Sequence, residues 1–341
     1  MSEKAKLRVA LLSFWHVHAK DYAKQVMEHT DTELVAIWDE IPERGRREAE
    51  GRGIRYVEQL GELLSDSHID GVIVTAPTAD HMDIMTAAAE AGKHIFTEKV
   101  IALTSAECDK IMAAVNRSGV VLTVSLPRLN TPFTQGALAL AACGLLGELT
   151  SVRARLSHSG ALPAEDNPLG YLPAHFFDPA QTGGGAMIDL GCHPMILVRL
   201  FLGMPESVSA SYSCVTGKAV EDNAITVLRY KNGAFGVVEA GFVNRSSPFT
   251  LELHGTEGSA LYHAYDAKLI YRSLKLEGDA AGRWHTFKLP AALPSSFDQW
   301  VSHIRNGTKA TENVTLALDL TRLMEAASIS AKSGAAVQLL C

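Results

Sequence analysis

Leu7-Arg8-Val9-Ala10-Leu11-Leu12, then Ser13-Phe14-Trp15-His16-Val17-His18, then a helical stretch 19–29, then Glu33-Leu34-Val35-Ala36-Ile37-Trp38-Asp39: this opening decides the fold. The two short apolar runs read as buried strands, and the connection between them is long enough for a crossover helix. A first strand running directly into a helix, with an acid closing the second strand, is the layout of a dinucleotide-binding unit. The acid, Asp39, lies 26 residues after Ser13, a reach suited to accepting hydrogen bonds from adenosine ribose hydroxyls. A carboxylate there repels a 2′-phosphate, so the unit is expected to take NAD rather than NADP. Where G-x-G-x-x-G should stand, however, residues 13–18 contain no glycine, and bulky Trp15 occupies the middle.

The alternation continues outward. A polar helix 42–52 leads to a strand at 55–57, a helix at 60–64 and the apolar strand 71–75. Helix 81–91, strand 94–98, helix 105–118 and strand 120–125 complete the series. Strands alternating with helices predict a parallel sheet covered on both faces, a doubly wound Rossmann domain over 1–128. After Arg128 the rhythm changes. A helix 132–146 and a strand 150–157 precede a long irregular stretch. Alternating segments then follow at 207–215, 223–230, 234–242, 249–254, 259–264 and 269–274. Lys231-Asn232-Gly233 is a hairpin signal between two of them. Residues 129–341 are therefore expected to form a second α/β domain with an open, mostly antiparallel sheet. Helices 296–306 and 312–333 close the chain, and the last of these is a candidate to pack back on the first domain. The segment 234–242 is apolar on both sides in places, which fits burial of both faces.

Composition narrows the partners. The chain has 341 residues, 47% hydrophobic and 20% charged, with a net charge of −7. That size supports two domains, and the negative charge excludes a phosphate-backbone partner. Arg44, Arg46 and Arg47 are interleaved with Glu43 and Glu48, as on a solvated helix face, with Arg44 also near enough to Asp39 to be a cofactor-binding candidate. No run reaches the ~18–20 uninterrupted apolar residues of a membrane span. The five cysteines, Cys108, Cys143, Cys192, Cys214 and Cys341, have no C-x-x-C spacing and read as reduced thiols of a cytoplasmic protein.

Candidate chemistry sits at three places. Thr75-Ala76-Pro77-Thr78 ends an apolar strand, where open parallel sheets gather ligands, although Thr78 or Asp80 could instead cap the next helix. Glu98-Lys99 ends the following strand, and a lysine there can stabilise charge on a substrate oxygen, whereas a surface ion pair is the usual fate of such a pair. Gly183-Gly184-Gly185 leads into an apolar helix reaching Leu202, with Asp189 and His193 four residues apart on one face. These glycines serve unusual dihedrals or close backbone approach. Asp189 and His193 read as an orienting acid with a proton acceptor, or as a pair that ties the helix down. His16-x-His18 lacks a neighbouring cysteine or carboxylate and is assigned no metal; it lines the cofactor or is structural.

Read in order, Ala76-Pro77-Thr78-x-x-His81, 91–99 (Ala-Gly-Lys-His-Ile-Phe-Thr-Glu-Lys), Gly147-Glu148-Leu149, and Gly183-Gly184-Gly185-x-x-x-Asp189-x-Gly191-x-His193 resemble the glucose–fructose oxidoreductase/inositol dehydrogenase (Gfo/Idh/MocA) family. The closing residues Phe297, Asn306-Gly307 and Ala326-Ala327-x-x-Ser330-x-x-Ser333-Gly334 are similar too, so the resemblance covers nearly the whole chain. It implies a Rossmann domain plus a C-terminal α/β domain, and oxidation or reduction of a secondary alcohol or carbonyl of a sugar or cyclitol with NAD(P). It implies that Lys99, Asp189 and His193 are catalytic, that His81 lies near the nicotinamide, that Glu98 is the cofactor-side acid and Asp39 the ribose acid. Ser13, Phe14, Trp15, His16, Val17, Arg44 and Thr75 to Thr78 join these as cofactor-binding candidates. Substrate contacts are expected from Arg128 and from Asn167, Tyr171, His175 and Asp178, on a polyhydroxylated small molecule. A homodimer or homotetramer is implied as well. Val100 stands where the family motif has proline, which removes proline's fixed φ and its access to a cis bond. Two other functions stay open at this point: a non-catalytic ligand or NAD sensor on the same scaffold, and NAD-assisted glycoside hydrolysis or elimination.

Overall fold

The computed structural model describes residues 5–165, 167–168 and 170–339; the expected free thiol Cys341 lies outside them. Cys108, Cys143, Cys192 and Cys214 form no disulfide among the described residues.

The first strands and helices are β1 (Leu7–Leu12), α1 (Ala19–Glu28), β2 (Thr32–Trp38), α2 (Pro42–Glu50), β3 (Arg55–Tyr56), α3 (Leu60–Ser65), β4 (Gly71–Val74), α4 (His81–Glu90), β5 (His94–Thr97), α5 (Ser105–Ser118) and β6 (Leu122–Val124). All six strands pair in parallel, in the order β3-β2-β1-β4-β5-β6. This is the doubly wound order, and the direction of winding reverses between β1 and β4. Ligands of such sheets bind outside the carboxyl ends of the strands at that reversal. Helix α5 shows how local chemistry sets an element's ends: Thr104 and Glu107 form a reciprocal capping box, and Gly119 closes the helix in the left-handed conformation.

The chain continues with α6 (Pro132–Ala142), β7 (Leu149–Ser157), α7 (Pro179–Thr182), a π-helical turn Met187–Gly191 running into α8 (Cys192–Leu202), and then β8 (Ser207–Ser213), β9 (Asn223–Arg229), β10 (Phe235–Gly241), β11 (Thr250–Gly255), β12 (Gly258–His263), β13 (Lys268–Ser273) and β14 (His285–Phe287). It closes with α9 (Ser296–Asn306), α10 (Thr311–Ser333) and β15 (Val337–Gln338). The second sheet runs β14-β13-β12-β11-β7-β10-β9-β8-β15, antiparallel throughout except for the β7–β10 pair. The hairpin expected at Lys231-Asn232-Gly233 joins β9 to β10, with Gly233 at a φ of 86°. The helical run Pro179–Leu202 is long and apolar, and α8 packs on β7 and β10, which places it in the core of its unit.

Two compact units result, one of Met1–Ser125 with Pro294–Leu318, the other of Leu126–Leu293 with Asp319–Cys341. The sequence reading placed helix 296–306 in the second domain. The structure instead joins α9 to the first unit, because Phe297, Trp300 and Val301 are buried in one core with Val9, Leu11, Tyr22, Val26, Ile37 and Phe96. On the outward side of β10, Phe235 is exposed, Val237 is half-buried, and Glu239 pairs with Arg153 at 2.6 Å.

Candidate functional site

In the first unit the candidates converge on the carboxyl ends of β1, β2, β4 and β5. Ser13 takes the left-handed φ of 79° that a fingerprint glycine usually supplies. It is held there by three bonds: its N–H donates to Trp38 O at 2.7 Å, its hydroxyl accepts Trp15 N–H at 3.0 Å, and its carbonyl accepts from the Thr75 hydroxyl at 2.6 Å. Phe14 and Trp15 are folded inward, 8% and 5% exposed, so Trp15 does not stand as a plug in open space. Val17 is exposed, His16 is buried, and the His16 N–H donates to Thr75 O at 3.1 Å, carrying the turn across from β1 to β4.

Asp39 follows β2 directly. Its carboxylate is buried and accepts from Phe14 N–H (2.8 Å), Ile41 N–H (2.8 Å) and the Arg44 guanidinium (2.8 Å to each oxygen), so it anchors the turn. The neighbouring acid, which the sequence reading passed over, is Glu40. It takes a 2.6 Å bond from Arg44 through Oε1, while among the described residues its buried Oε2 has no hydrogen-bond partner. A buried acceptor left open beside Ser13 and Arg44 fits a ribose hydroxyl. Burial pushes the Glu40 carboxyl up and Asp39 adds to this, while the Ser13 hydroxyl and the Arg44 charge oppose it in part. Two acids around one arginine leave the pocket's rim negative, which disfavours a 2′-phosphate. The residues present therefore fit NAD.

Thr75, Ala76 and Pro77 are buried and Thr78 is half-buried; neither Thr78 nor Asp80 caps a helix through its side chain. His81 opens α4. Its ring is 1% exposed, with Nδ1 at 3.0 and 3.1 Å from the carbonyls of Val100 and Ile101 and Nε2 at 3.2 Å from that of Ala76. It ties the loop after β5 to the loop after β4, and burial holds its pKa below the ordinary histidine value. The Lys99–Val100 peptide is cis, so valine keeps the bond geometry thought lost with the proline.

Glu98 and Lys99 are both buried. Glu98 Oε1 accepts from Tyr22 OH at 2.5 Å and lies 2.9 Å from His18 Nδ1 and 3.8 Å from His16 Nδ1, and Oε2 accepts Lys99 N–H at 3.1 Å. Burial alone would raise the Glu98 pKa, but His16, His18 and Lys99 outweigh it and hold the carboxyl well below the usual range. The pair is thus no surface salt bridge.

In the second unit the glycine run is organised by Glu221, a residue without a motif of its own. Its carboxylate accepts Gly185 N–H at 2.8 Å and Met187 N–H at 3.0 Å, and its carbonyl accepts Ala186 N–H at 2.9 Å. A Cβ on Gly185 would lie 2.0 Å from that carbonyl oxygen, which explains the glycine; Gly183 closes α7 at a φ of 75°. The helix then starts as a π turn, a feature frequent at functional sites. Met187, Leu190, Gly191, Cys192 and Pro194 are buried, while Asp189 and His193 are half-buried, so both lie toward the accessible side.

His158, just past β7, was missed; nothing in its local sequence marks it. Its Nδ1 accepts Gly160 N–H at 3.0 Å, which places the proton of the neutral ring on Nε2, and its ring lies 5.2 Å from that of Tyr171. Burial lowers its pKa and the charge of Asp189 opposes this; Asp189 and burial together raise that of exposed Tyr171. Asp189, His158 and Tyr171 are therefore electrostatic neighbours. Arg128 is half-buried over the Phe249 ring at 4.5 Å and within reach of Cys192 at the start of α8. Asn167 builds a tight turn through its N–H and carbonyl, and His175 packs beside Phe176 with rings 5.2 Å apart. Asp178 caps α7, accepting Ala180 N–H at 3.0 Å and the Gln181 amide at 2.7 Å.

Comparison with known proteins bears on the fold and the family. Residues 14–126 match the oxidoreductase family model with an NAD-binding Rossmann fold, and residues 134–261 match the GFO/IDH/MocA C-terminal domain model. The chain is 31% identical over 255 residues to scyllo-inositol 2-dehydrogenase (NAD(+)) of Bacillus subtilis (strain 168), covering 72% of this chain and 69% of that protein. It is 28% identical over 247 residues to 1,5-anhydro-D-fructose reductase of Ensifer adhaerens, covering 71% and 72%. Among solved structures, GenD2 from gentamicin A biosynthesis in complex with NAD has the same fold, with a TM-score of 0.83, 24% identity, and coverage of 99% of this chain and 97% of that one.

Proposed function

Because the chain belongs to the Gfo/Idh/MocA oxidoreductase family, an enzyme family using NAD, we propose that it interconverts a secondary alcohol and carbonyl of a sugar, cyclitol or related polyol. The half-buried Asp189 and His193 on a mostly buried helix are the observation that carries this reading. His193 takes the hydroxyl proton, a task suited to an imidazole with an ordinary pKa of about 6.5. Asp189 orients the ring and stabilises its cationic form, as a carboxylate partner does in a triad. Lys99 stabilises negative charge developing on the substrate oxygen. Glu40, Arg44 and the Ser13 turn hold the adenosine end of NAD, which supplies the two-electron acceptor when bound. Tyr171, His158 and Arg128 supply polar groups to a hydroxylated ligand. We further infer a homodimer or homotetramer, to be read by sedimentation velocity.

The deciding experiment is a screen of aldoses, cyclitols and anhydrosugars with NAD, following NADH absorbance, on the native chain and on H193A. Removing a general acid–base group is expected to lower kcat by roughly a hundred- to ten-thousandfold while NADH binding persists. An H193A variant within a few-fold of the native kcat would overturn the assignment. Tight NADH binding without turnover of any polyol would favour the sensor reading.

A further inference from the structure

A cleft of about 490 Å³ opens at one end of the second sheet, within the roughly 300–1,000 Å³ of small-molecule sites. It lies wholly in the second unit. Its walls are His158 and Ser159 just past β7, Asn244, Ser246 and Ser247 after β10, and Tyr265 after β12. Backbone bonds hold these walls in place. His158 N–H donates to Gly241 O at 2.9 Å, Asn244 N–H to His158 O at 3.0 Å, and Ala264 N–H to Phe249 O at 2.9 Å. Arg245 ties the serine loop down through a 2.7 Å bond to Pro163 O. The cleft is also joined to the acid–base helix. The His158 ring lies flat on Phe242 at 5.2 Å and beside Tyr171, and the charge of Asp189 acts on both His158 and Tyr171.

The lining selects the ligand's chemistry. Among the described residues no Lys, Arg, Asp or Glu lines the cleft, and burial holds His158 below the ordinary histidine value, so the ring is neutral at pH 7. An ionic ligand therefore finds no counter-charge here. The polar groups are hydroxyls and a carboxamide, which both donate and accept. One of them, Ser247 Oγ, is shut off from solvent and has no hydrogen-bond partner among the described residues, an acceptor and donor left for a ligand to complete. Tyr265 stands 77% exposed, offering a rigid amphipathic ring. Hydroxyls beside an uncovered aromatic ring match a neutral sugar, which carries hydroxyls at its edge and apolar C–H groups on its faces. We propose that this cleft is a subsite for a second sugar ring, so that the substrate class is a disaccharide or other glycoside whose reacting ring lies at Asp189 and His193. The reaction half of this proposal rests on the polyol reading above; the binding half does not.

The test is calorimetric titration of the full chain, with NADH present, using maltose, cellobiose and trehalose, with glucose as the single-ring reference. Steady-state kcat/KM with NAD is measured for the same four sugars. At least one disaccharide is expected to bind about tenfold more tightly than glucose. Y265A is expected to remove that advantage, and S247A to reduce it about fivefold. Because Tyr265 is exposed, Y265A decides the matter even where S247A disturbs the loop. Disaccharide binding no tighter than that of glucose across the panel, or unchanged in Y265A, overturns the proposal. Tight, Tyr265-dependent binding without NADH formation keeps the subsite and refutes the polyol reaction, whereas turnover confined to the single ring does the reverse.

Discussion

A methyl group added at Gly185 tests how the acid–base helix is seated. In G185A the new Cβ would stand 2.0 Å from Glu221 O and 2.9 Å from both the Glu221 carbonyl carbon and Val220 Cγ2. Contact distances for such atoms are about 3.5 Å, so the two backbones must separate by more than ~1 Å. Overpacking of this kind costs about 1–3 kcal/mol. The separation also breaks or stretches three bonds, to Gly185 N–H, Ala186 N–H and Met187 N–H at 2.8, 2.9 and 3.0 Å. At about 1 kcal/mol each these add roughly 3 kcal/mol, for a total of about 4–6 kcal/mol. For a unit of this size that corresponds to a fall in Tm on the order of 10 °C. The adjacent G184A is the control, because its methyl would meet only Ile188 Cγ2 at 3.3 Å and the Glu221 carboxylate at 3.8 Å. It should change stability by less than about 1 kcal/mol. Urea unfolding followed by circular dichroism measures both. If G185A lies within ~1 kcal/mol of the native protein, or G184A costs as much, the account of the glycine run by close approach is wrong.

Three further outcomes are expected. Replacing Glu40 with Ala removes the open acceptor beside Ser13, so the calorimetric Kd for NADH should rise about tenfold, with a smaller loss for NADPH; equal losses would separate Glu40 from ribose recognition. Truncating the fully buried Trp300 to Ala should destabilise the first unit by about 3–5 kcal/mol, read as an early transition in thermal unfolding, since that ring sits in the Rossmann core. Asp222 is desolvated, which raises its pKa, but bonds from the Thr216 hydroxyl and N–H and the Val215 N–H outweigh this and lower it. Its contribution is therefore complete above the ordinary value of 3.8 and disappears as pH falls through the lower folded value. The stability gap between native protein and D222N should accordingly be constant from neutral pH to about 4 and narrow below it, as measured by urea unfolding.

The polyol oxidoreductase reading rests on residues that the sequence already displayed, above all the ordered motifs ending in Lys99 and in Asp189-x-Gly191-x-His193. Sequence alone determined the alternation of short apolar runs and helical segments, hence the parallel sheet, the change to antiparallel pairing past Arg128, and the turn at Gly233. Those properties are carried by neighbours two to four residues apart, where side-chain period and turn chemistry are legible. It also flagged Ser13 to His18 as a turn without glycines, but could not show that Ser13 adopts the left-handed conformation by itself, because the three bonds that hold it there come from Trp15, Trp38 and Thr75. The tertiary structure decided the rest. Asp39 turned inward to Arg44 and left Glu40 as the open acid. Asp178 became a helix cap, and His81 a clamp between two loops. Glu221 reached back 36 residues to the glycine run, Glu98 reached 80 to His18, and α9 returned across the whole chain to the first core. Short strands such as β14 and β15 have too few residues to show a period and form only because a neighbour offers a free edge. A pairing between residues so far apart leaves no local period. It is selected by which buried polar atoms find partners once the chain has collapsed.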